Sequence, residues 1–348
     1  MAAPPRRWVA VTSTPDFPVT LGPVRRALAG IAPVRTVALP FRPLGKAEEA
    51  AFARQLRGAE GILLRPGYLT ASLLERLPSL RAVAVHGAGV DQVDVAACTA
   101  RGVWVTNAPG ANADSVAELA LGLMISLARR IPQAARRVAE ERVWGEARHT
   151  GRELKGKTLG LVGIGQIGSR LARMAEALGM RVAAYDPGLS AKEIRRRGAR
   201  PMKWDALLAA ADILSLHLPL TPQTHHLIGR RALGKMKRGA FLINAARGPL
   251  VDERALAGAL ASGRLGGAAL DVLEGEPPNP ASPIFDAPNL LLTPHMAGST
   301  EEALAAIARV AAEDLALVLK GKRPKRPVNR PAGRSPTRRS SASPSGGG

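Results

Sequence analysis

The chain has 348 residues, of which 46% are hydrophobic, one cysteine (Cys98) and a formal net charge of +21. This length suits two domains, and the apolar content is sufficient for sizeable buried cores. One cysteine excludes an intramolecular disulfide framework, and no apolar run is long enough to span a bilayer, so we expect a globular protein of the cytoplasm without a membrane partner.

The positive charge is unevenly distributed. Nine of the positive charges lie between Lys320 and Gly348, where there is no acidic residue, so the rest of the chain carries +12 (21 minus 9). Aromatic residues make up 3% of the chain, which is too few for platforms on which bases stack. We therefore expect no specific nucleic-acid partner, and we attribute the basic charge to anionic small molecules in general.

The first 107 residues alternate short apolar runs with helical patterns. The apolar runs predict five strands, at Trp8–Val11, Val34–Val37, Gly61–Leu64, Ala82–Val85 and Val103–Val105. Residues at helical spacing predict helices between them, at about Val19–Ala29, Ala47–Leu56, Thr70–Leu77 and Val93–Ala100. This alternation predicts a small open parallel sheet whose ligand edge lies at the carboxyl ends of the strands.

A glycine-containing loop, His86–Asp91, follows the fourth of these strands. Its glycines would expose backbone amides to an anion at the ligand edge. An ordinary turn is the alternative, and the loop taken alone slightly favours that interpretation.

The helical pattern from Asn112 to about Arg137 predicts one long helix that crosses into a second domain. Six strand-like runs then predict a doubly wound sheet, and they lie near Leu159, Val182, Ile213, Phe241, Ala269 and Leu291. The amphipathic stretch Glu301–Leu319 predicts a final helix that packs on the first domain. We therefore predict a first domain of residues 1–107 and 295–320, interrupted by a second domain of residues 108–294.

Residues 321–348 combine Lys, Arg, Pro, Ser and Gly with few apolar side chains. Such a segment cannot bury enough apolar surface to offset the entropy lost on ordering. The sequence predicts a disordered basic tail, with weak association with anions as the alternative.

The stretch Thr158–Gly168 joins an apolar run to a glycine turn and then to a helical pattern. Gly163 permits a tight turn, Gly165 lets backbone amides approach a pyrophosphate, and Gly168 lets the helix pack closely on the strand. Asp186 ends the next strand-like run, eighteen residues beyond Gly168. A carboxylate there would bind the adenosine ribose hydroxyls, so the whole unit predicts binding of NAD.

Three charged side chains, Arg247, Glu276 and His295, each stand just past a predicted strand end. Strand ends of such a sheet converge on one crevice. An arginine can clamp a carboxylate, a histidine can exchange the proton that accompanies hydride transfer, and a glutamate can hold the imidazolium. Together with the glycine turn, these residues indicate a dehydrogenase that acts on a 2-oxo or 2-hydroxy acid.

Other reactive side chains carry weaker signals. His217 ends the strand-like run near Ile213, and His225 and His226 follow, but no spacing resembles a zinc site, so we expect no metal. The serines lack the context of a nucleophile elbow, which leaves hydrolase chemistry without support.

Five stretches carry a family resemblance, namely Gly163–Gly168, His217–Thr221 with Thr224, Asn244–Leu256, Asp271–Pro277 and Pro294–Gly298. Their combination resembles the D-isomer-specific 2-hydroxyacid dehydrogenase family, which includes phosphoglycerate dehydrogenases and glyoxylate or hydroxypyruvate reductases. The likeness extends to about residue 320. It implies an α/β protein in which a Rossmann doubly wound nucleotide domain is inserted in a smaller flavodoxin-like substrate domain, with NAD as cofactor.

The resemblance also implies roles for the charged residues. Arg247 would bind the carboxylate and carbonyl of the substrate, His295 would act as acid/base, and Glu276 would be its partner. The backbone amides of Ala88 and Gly89 would bind the substrate carboxylate.

For the cofactor, the resemblance implies that Asp271 lies near the nicotinamide carboxamide. The full set of implied cofactor contacts is Gly163, Gly165, Gln166, Ile167, Gly168, Asp186, His217, Thr221, Ala245, Arg247, Asp271 and His295. Gln92, Leu273 and Pro278 depart from the family pattern, and two of them lie close to the expected site, so the 2-hydroxy acid stays unidentified.

Two further functions compete with a D-2-hydroxyacid dehydrogenase. A formate dehydrogenase is the rival enzyme, and Glu276 argues against it because that relative lacks a glutamate-supported histidine. A nicotinamide-sensing, corepressor-like binding protein on the same fold is the rival outside enzymes. The intact set of Arg247, Glu276 and His295 favours the enzyme.

Family resemblance also implies a homodimer joined through the nucleotide domains. The segment after the long helix contains Trp144, one of four tryptophans. It either packs within its own subunit or fills a pocket at the interface, where tryptophan is enriched. The sequence leaves these two alternatives open.

Overall fold

The computed structural model describes residues 7–145 and 150–331. The chain divides into two compact units, one made of the residues up to Pro109 and from Ala305 onward, and the other of Gly110–Leu304. The first unit is therefore discontinuous in sequence. The predicted boundaries at 107 and 295 fall two and ten residues before those of the structure.

The first unit contains a five-stranded sheet. Its strands are β1 (Trp8–Thr12), β2 (Val34–Val37), β3 (Ala59–Leu64), β4 (Ala82–Val85) and β5 (Trp104–Thr106). All neighbours pair in parallel, in the order β2-β1-β3-β4-β5. This is the order of flavodoxin-like sheets, and it confirms the predicted fold of the smaller domain.

Helices cover both faces of this sheet. They are α1 (Leu21–Ala27), α2 (Lys46–Gln55), α3 (Ala71–Glu75), α4 (Val95–Ala100) and the final helix (Glu301–Leu319). Side chains of a strand alternate between faces, so Trp8 and Ala10 enter one core while Val9 and Val11 enter the other. The second core includes Leu315 of the final helix. No helix among the described residues is both long and apolar enough to cross a membrane.

The prediction of a disordered tail from residue 321 is wrong for residues 321–331. Val328 donates its backbone N–H to the Val105 carbonyl, and the buried Asn329 side chain accepts from the Val105 N–H and donates to the Val103 carbonyl. The carboxylate of Asp314, itself fully buried, accepts from the Lys325 N–H. Specific hydrogen bonds thus order this segment, although it has few apolar side chains to bury. Residues 332–348 lie outside the described residues.

The second unit contains a seven-stranded sheet. Its strands are β6 (Thr158–Val162), β7 (Arg181–Tyr185), β8 (Arg200–Pro201), β9 (Ile213–Leu216), β10 (Phe241–Asn244), β11 (Gly267–Leu270) and β12 (Leu290–Leu292). The order is β12-β11-β10-β9-β6-β7-β8, with every pair parallel. Counted within the unit, this is 3-2-1-4-5-6 with one added edge strand, as in Rossmann folds. The sequence predicts six of the strands and misses the two-residue β8.

The second unit has two helices where the sequence predicts one long helix. They are α5 (Ala113–Arg129), α6 (Ile131–Arg136), α7 (Gln166–Ala177), α8 (Ala191–Arg196), α9 (Trp204–Ala210), α10 (Arg230–Lys235) and α11 (Glu253–Ala261). The predicted single helix from Asn112 to Arg137 is wrong, because Arg130 is left-handed with φ 53°. Pro132 has no N–H for the Ala128 carbonyl, which instead accepts from Arg152 at 2.7 Å.

A substitution at Asn329 tests whether residues 321–331 are docked on the first unit. Asn329→Ala removes three hydrogen bonds and leaves the Val105 N–H of β5 and the Val103 carbonyl just before it without these partners. We expect the free energy of unfolding to fall by about 2–4 kcal/mol in urea titrations. Arg330→Ala, at an exposed neighbour, should change it by less than about 0.5 kcal/mol. An equally small effect at Asn329 would contradict the docking of this segment.

Candidate functional site

The predicted site residues of the second unit collect at one edge of its sheet. Each follows the carboxyl end of a parallel strand: the glycine turn follows β6, Asp186 follows β7, His217 and Thr221 follow β9, Ala245 and Arg247 follow β10, Asp271 and Glu276 follow β11, and His295 follows β12. Parallel pairing brings these ends to the same edge, which is where open α/β sheets bind ligands.

The glycine turn has the geometry that the sequence predicts. Gly163 has φ +92°, and a Cβ there would lie 2.8 Å from the His217 carbonyl oxygen. A Cβ on Gly168 would lie 2.4 Å from the Gly163 carbonyl oxygen, so only glycine lets α7 approach the strand this closely. A Cβ on Gly165 would meet no described atom within 4 Å. The turn therefore presents the exposed N-terminus of α7, beginning at Gln166, to an anion.

Asp186 is tied to this turn by its side chain. Its carboxylate accepts from the Ile164 N–H at 3.0 Å and from the Gly188 N–H at 2.9 Å. Arg197 folds back from the end of α8 and donates to the Ile164 carbonyl at 2.8 Å. An acidic and a basic side chain thus both bind the backbone of Ile164 in the glycine turn.

His217 and Thr221 follow β9. The Nε2 atom of His217 lies 2.9 Å from the Ser215 hydroxyl, while Nδ1 is buried without a partner among the described residues. Burial lowers the pKa of His217 to about 4, so the ring is neutral near pH 7. The Thr221 N–H closes a turn by donating to the Thr224 hydroxyl at 2.7 Å. His217 can therefore position a ligand but does not provide a cation.

A small apolar cluster separates the glycine turn from the His295 loop. Ala245, Val116 and Ala297 are buried together, and Ile167 packs against them. The structure thus brings the predicted residues Ala245 and Ile167 next to the segment that carries His295.

Arg247 lies in a loop whose conformation depends on Asn244 and Gly248. The buried Asn244 amide donates to the Arg247 carbonyl at 2.8 Å and accepts from the Ala246 N–H at 3.1 Å. A Cβ on Gly248 would lie 1.9 Å from the Leu273 carbonyl oxygen, so the loop after β10 presses directly on the loop after β11. Asn244 is a site-shaping residue that sequence reasoning used only as part of a motif.

His295 and Glu276 form the central pair of the site. His295 Nδ1 lies 2.5 Å from one carboxylate oxygen of Glu276, and the other oxygen accepts from the Leu273 N–H at 3.3 Å. The hydrogen bond to Glu276 raises the pKa of His295 above its usual 6.5, against a lowering effect of burial, and the nearby Asp271 adds to the rise. Arg247 lowers that pKa, so its positive charge acts on the same imidazole. Glu276, Asp271 and Arg247 therefore all lie close enough to His295 to change its pKa.

Asp271 has a role that the sequence did not reveal. Its side chain is 1% exposed, and its oxygens accept from the Thr293 hydroxyl at 2.6 Å and from the N–H groups of Met296 and Ala297 at 2.9 Å. His295, between these donors, has a left-handed φ of 52°. Such a conformation is strained for a side chain other than glycine. Asp271 therefore stabilises the loop in the conformation that orients the His295 side chain.

Helix α5 supports the same loop from the other side. Ser115 donates its hydroxyl proton to the Ala297 carbonyl at 2.6 Å, and a Cβ on Gly298 would lie 2.7 Å from the Asn112 amide nitrogen. Sequence reasoning missed Ser115, because its partner lies 182 residues away.

Ala88 and Gly89 belong to the first unit, in the loop after β4. The Ala88 carbonyl accepts from the Asn107 amide at 2.6 Å, and the Gly87 carbonyl accepts from the Ala108 N–H at 2.8 Å. Within the described ranges, the N–H groups of Ala88 and Gly89 have no protein acceptor. They are thus available to an anion at the carboxyl edge of the first sheet.

The second unit combines the strand order and glycine turn of a dinucleotide-binding domain with a histidine–glutamate pair suited to proton exchange. The family model for the D-isomer specific 2-hydroxyacid dehydrogenase NAD binding domain matches residues 121–297, slightly more than half of the chain. The chain belongs to this family, and its second unit is an NAD-binding domain.

Individual relatives agree with this assignment. The chain is 41% identical over 280 residues to a D-3-phosphoglycerate dehydrogenase of Archaeoglobus fulgidus, covering 80% of this chain and 53% of that protein. It is 39% identical over 289 residues to a glyoxylate reductase of Thermofilum pendens, covering 80% and 83%. The crystal structure of D-lactate dehydrogenase from Aquifex aeolicus with NAD and lactic acid is 30% identical, with a TM-score of 0.76 over 90% and 96% of the two chains. The chain thus spans about half the length of the phosphoglycerate dehydrogenase.

The His295–Glu276 pair predicts a titration. Because the hydrogen bond to Glu276 raises the pKa of His295, Glu276→Gln should lower that pKa, measured by NMR of the histidine ring. Glu274→Gln is the matched control, since Glu274 contacts His226 instead. An unchanged His295 midpoint in the Glu276 variant would contradict the assigned cause.

Proposed function

We propose that this protein is an NAD-dependent oxidoreductase that interconverts a small D-2-hydroxy acid and its 2-oxo acid. The observation that carries the proposal is the 2.5 Å contact of His295 with Glu276, beside the charge of Arg247, at the edge where the dinucleotide turn lies. Proton exchange, carboxylate binding and dinucleotide binding are the three capabilities that this reaction needs.

The proposed mechanism assigns one task to each group. In the second unit, Arg247 binds the substrate carboxylate and polarises the carbonyl at C2. In the first unit, the N–H groups of Ala88 and Gly89 are the proposed carboxylate donors. Bound NADH supplies the hydride for C2. His295 donates the proton from Nε2, the ring nitrogen opposite its contact with Glu276, to the carbonyl oxygen, so the 2-oxo acid becomes a 2-hydroxy acid.

The direction of the pH dependence follows from the pKa of His295. Reduction needs the protonated imidazole, so its rate falls as pH rises through the folded-state pKa. Glu276 raises that pKa and thereby extends reduction to higher pH. Oxidation needs the neutral imidazole and has the opposite dependence.

The proposed cofactor preference is NAD over its 2′-phosphorylated form. Asp186 at the ribose position would repel a 2′-phosphate, and its carboxylate is already fixed by the Ile164 N–H. Arg197, which donates to the Ile164 carbonyl, weakens this discrimination because it adds a positive charge nearby. We propose a preference for NAD that is moderate in size.

The proposed location is the cytoplasm. It is supported by the single cysteine, Cys98, which is fully buried and whose pKa burial raises to about 12. Such a thiol does not form a disulfide readily, so the protein does not depend on an oxidising compartment.

Turnover tests the proposal. We expect the wild type to oxidise NADH with at least one of glyoxylate, hydroxypyruvate, pyruvate and phenylpyruvate. His295→Ala should lower kcat by about 100-fold or more, because general acid catalysis contributes that much. His225→Ala, at an exposed histidine of the same unit, should leave kcat within about twofold of wild type.

The alternatives give different results in the same assay. If the protein binds NADH but turns over no 2-oxo acid, the nicotinamide-sensing binding protein takes the place of the enzyme. Oxidation of formate in place of these substrates would favour the rival enzyme, against the argument from Glu276.

We also propose a homodimer in which Trp144 lies at the interface. Trp144 is 90% exposed, which supports the interface alternative over packing within its own subunit. Ile131, Val138 and Val143 on the same segment are also exposed apolar side chains. Several exposed apolar side chains on one segment are typical of an interface.

Sedimentation tests the interface. Trp144→Ala should weaken the dimer by about tenfold or more in Kd, because truncation of an interface tryptophan costs at least about 2 kcal/mol. Leu178→Ala, another exposed apolar side chain of the same unit, should leave the Kd unchanged. A wild type that sediments as a monomer at all concentrations would refute the proposal.

A further inference from the structure

A second histidine–glutamate pair in the second unit shares a loop with the first one. The Nε2 atom of His226 is hydrogen-bonded to a carboxylate oxygen of Glu274. His226 lies in the loop after β9 and Glu274 in the loop after β11, on either side of β10 in the sheet. Glu274 stands two residues before Glu276, the carboxylate that contacts His295. The pair therefore joins a distant loop to the segment that carries Glu276.

The backbone of His226 is attached to the loop after β10. Its N–H donates to the Pro249 carbonyl at 2.8 Å, and the Ile228 N–H donates to the Leu250 carbonyl at 2.9 Å. His226 also has a left-handed φ of 50°. Such a conformation is strained for a residue other than glycine and persists where the surrounding structure imposes it. His226 is thus a fixed point from which its side chain reaches the loop after β11.

The loop after β11 orients Glu276 through the residues just before it. The Leu273 N–H donates to one carboxylate oxygen of Glu276 at 3.3 Å, which leaves the other oxygen for His295. The next residue, Glu274, donates its N–H to the Glu253 carboxylate at 2.6 Å. Glu274 is exposed, so core packing does not hold it. The direction of the Glu276 side chain therefore depends on polar contacts at Glu274.

The two carboxylates at this place repel each other. Burial raises the pKa of Glu253, the negative charge of Glu274 adds to this rise, and His226 opposes it. A protonated His226 therefore offsets the repulsion that would otherwise push Glu274 away from Glu253. The imidazole thus supports the backbone contact of Glu274 as well as its side chain.

We propose that His226 is a positioning residue for the pair that exchanges the proton: it holds Glu274, and thereby fixes the loop after β11 so that Glu276 faces His295. This inference rests on the proposed function, because it assigns a support to the proposed acid/base. His226 acts through Glu274, and no contact with substrate or cofactor is assigned to it.

An ordinary surface ion pair is the competing interpretation. The side chains of His226 and Glu274 are 40% and 36% exposed, and pairs this exposed contribute little to stability. Such a pair requires neither the strained backbone of His226 nor the second attachment of Glu274 at its N–H. These two features favour the positioning role. The low contribution to stability also means that the pair can be removed without unfolding the protein.

NMR titration of the His295 ring tests the inference without requiring turnover. His226→Ala should lower the pKa of His295, in the same direction as Glu276→Gln, because Glu276 loses its fixed orientation. In the Glu276→Gln background, His226→Ala should add no further shift, since both substitutions remove one interaction. The matched control is His225→Ala, because the His225 ring stacks on His226 at 4.1 Å but has no side-chain hydrogen bond among the described residues.

Conservative variants separate loss of the contact from loss of a side chain. Glu274→Gln retains an acceptor for His226, so the His295 midpoint should stay at its wild-type value. His226→Gln retains a side-chain N–H donor and should recover most of that midpoint. Glu274→Ala removes the contact from its other end and should resemble His226→Ala.

Kinetics supply a second measurement, with any 2-oxo acid that the wild type reduces. His226→Ala should lower kcat by about tenfold, because misplacing a group near the chemistry costs up to about 100-fold. KM should stay within about twofold of wild type, since the lost support acts on proton transfer and not on binding. Tm should fall by less than about 4 °C, as expected for an exposed ion pair.

The other outcomes are distinguishable. If His226→Ala leaves the His295 midpoint and kcat at their wild-type values, the pair is an ordinary surface ion pair and the inference is overturned. If it lowers Tm strongly and lowers kcat equally in the wild-type and Glu276→Gln backgrounds, the pair supports the fold and the inference is again overturned. If no 2-oxo acid is reduced while the His295 midpoint still shifts, the proposed function fails and the positioning of Glu276 by His226 stands.

Discussion

Both sheets are built entirely from parallel strands, and this constraint governs where chemistry can occur. Because parallel strands all run in the same direction, the carboxyl ends of all strands in a sheet lie at the same edge of that sheet. The loops that follow the strands begin at this edge. Residues as distant in sequence as Gly163 and His295 therefore lie at the same edge of the second sheet. The edge of the first sheet collects Phe17, Tyr68 and Ala88 for the same reason.

Topology brings loops together, but local hydrogen bonds decide where their side chains point. His295 adopts a left-handed backbone that costs on the order of 1–3 kcal/mol. The buried carboxylate of Asp271 offsets this cost, because it accepts from the backbone on the far side of His295 and from Thr293 before it. The imidazole that we propose as the proton donor is thus positioned by a carboxylate that takes no part in the proposed proton transfer.

The sequence predicts the repetitive parts of this protein well and the non-local parts poorly. Apolar runs predict the strands, and the spacing of Gly163, Gly165 and Gly168 predicts the turn, because both patterns are local in sequence. The two-residue strand β8 has too few residues to display a period. The order of the segment around Asn329 depends on partners more than 200 residues away, which composition cannot reveal. The role of Asp271 likewise depends on backbone donors that no motif displays.

The ordered segment after the final helix has a consequence for the protein in solution. Strand β5 is the last strand of the first sheet, so one side of it would present free backbone donors and acceptors. Such an edge is a template for pairing with other chains. Val328 and Asn329 occupy its N–H and carbonyl groups, and Pro327 and Pro331 cannot extend a ladder outward. The segment therefore seals the sheet against aggregation, in a role independent of any substrate.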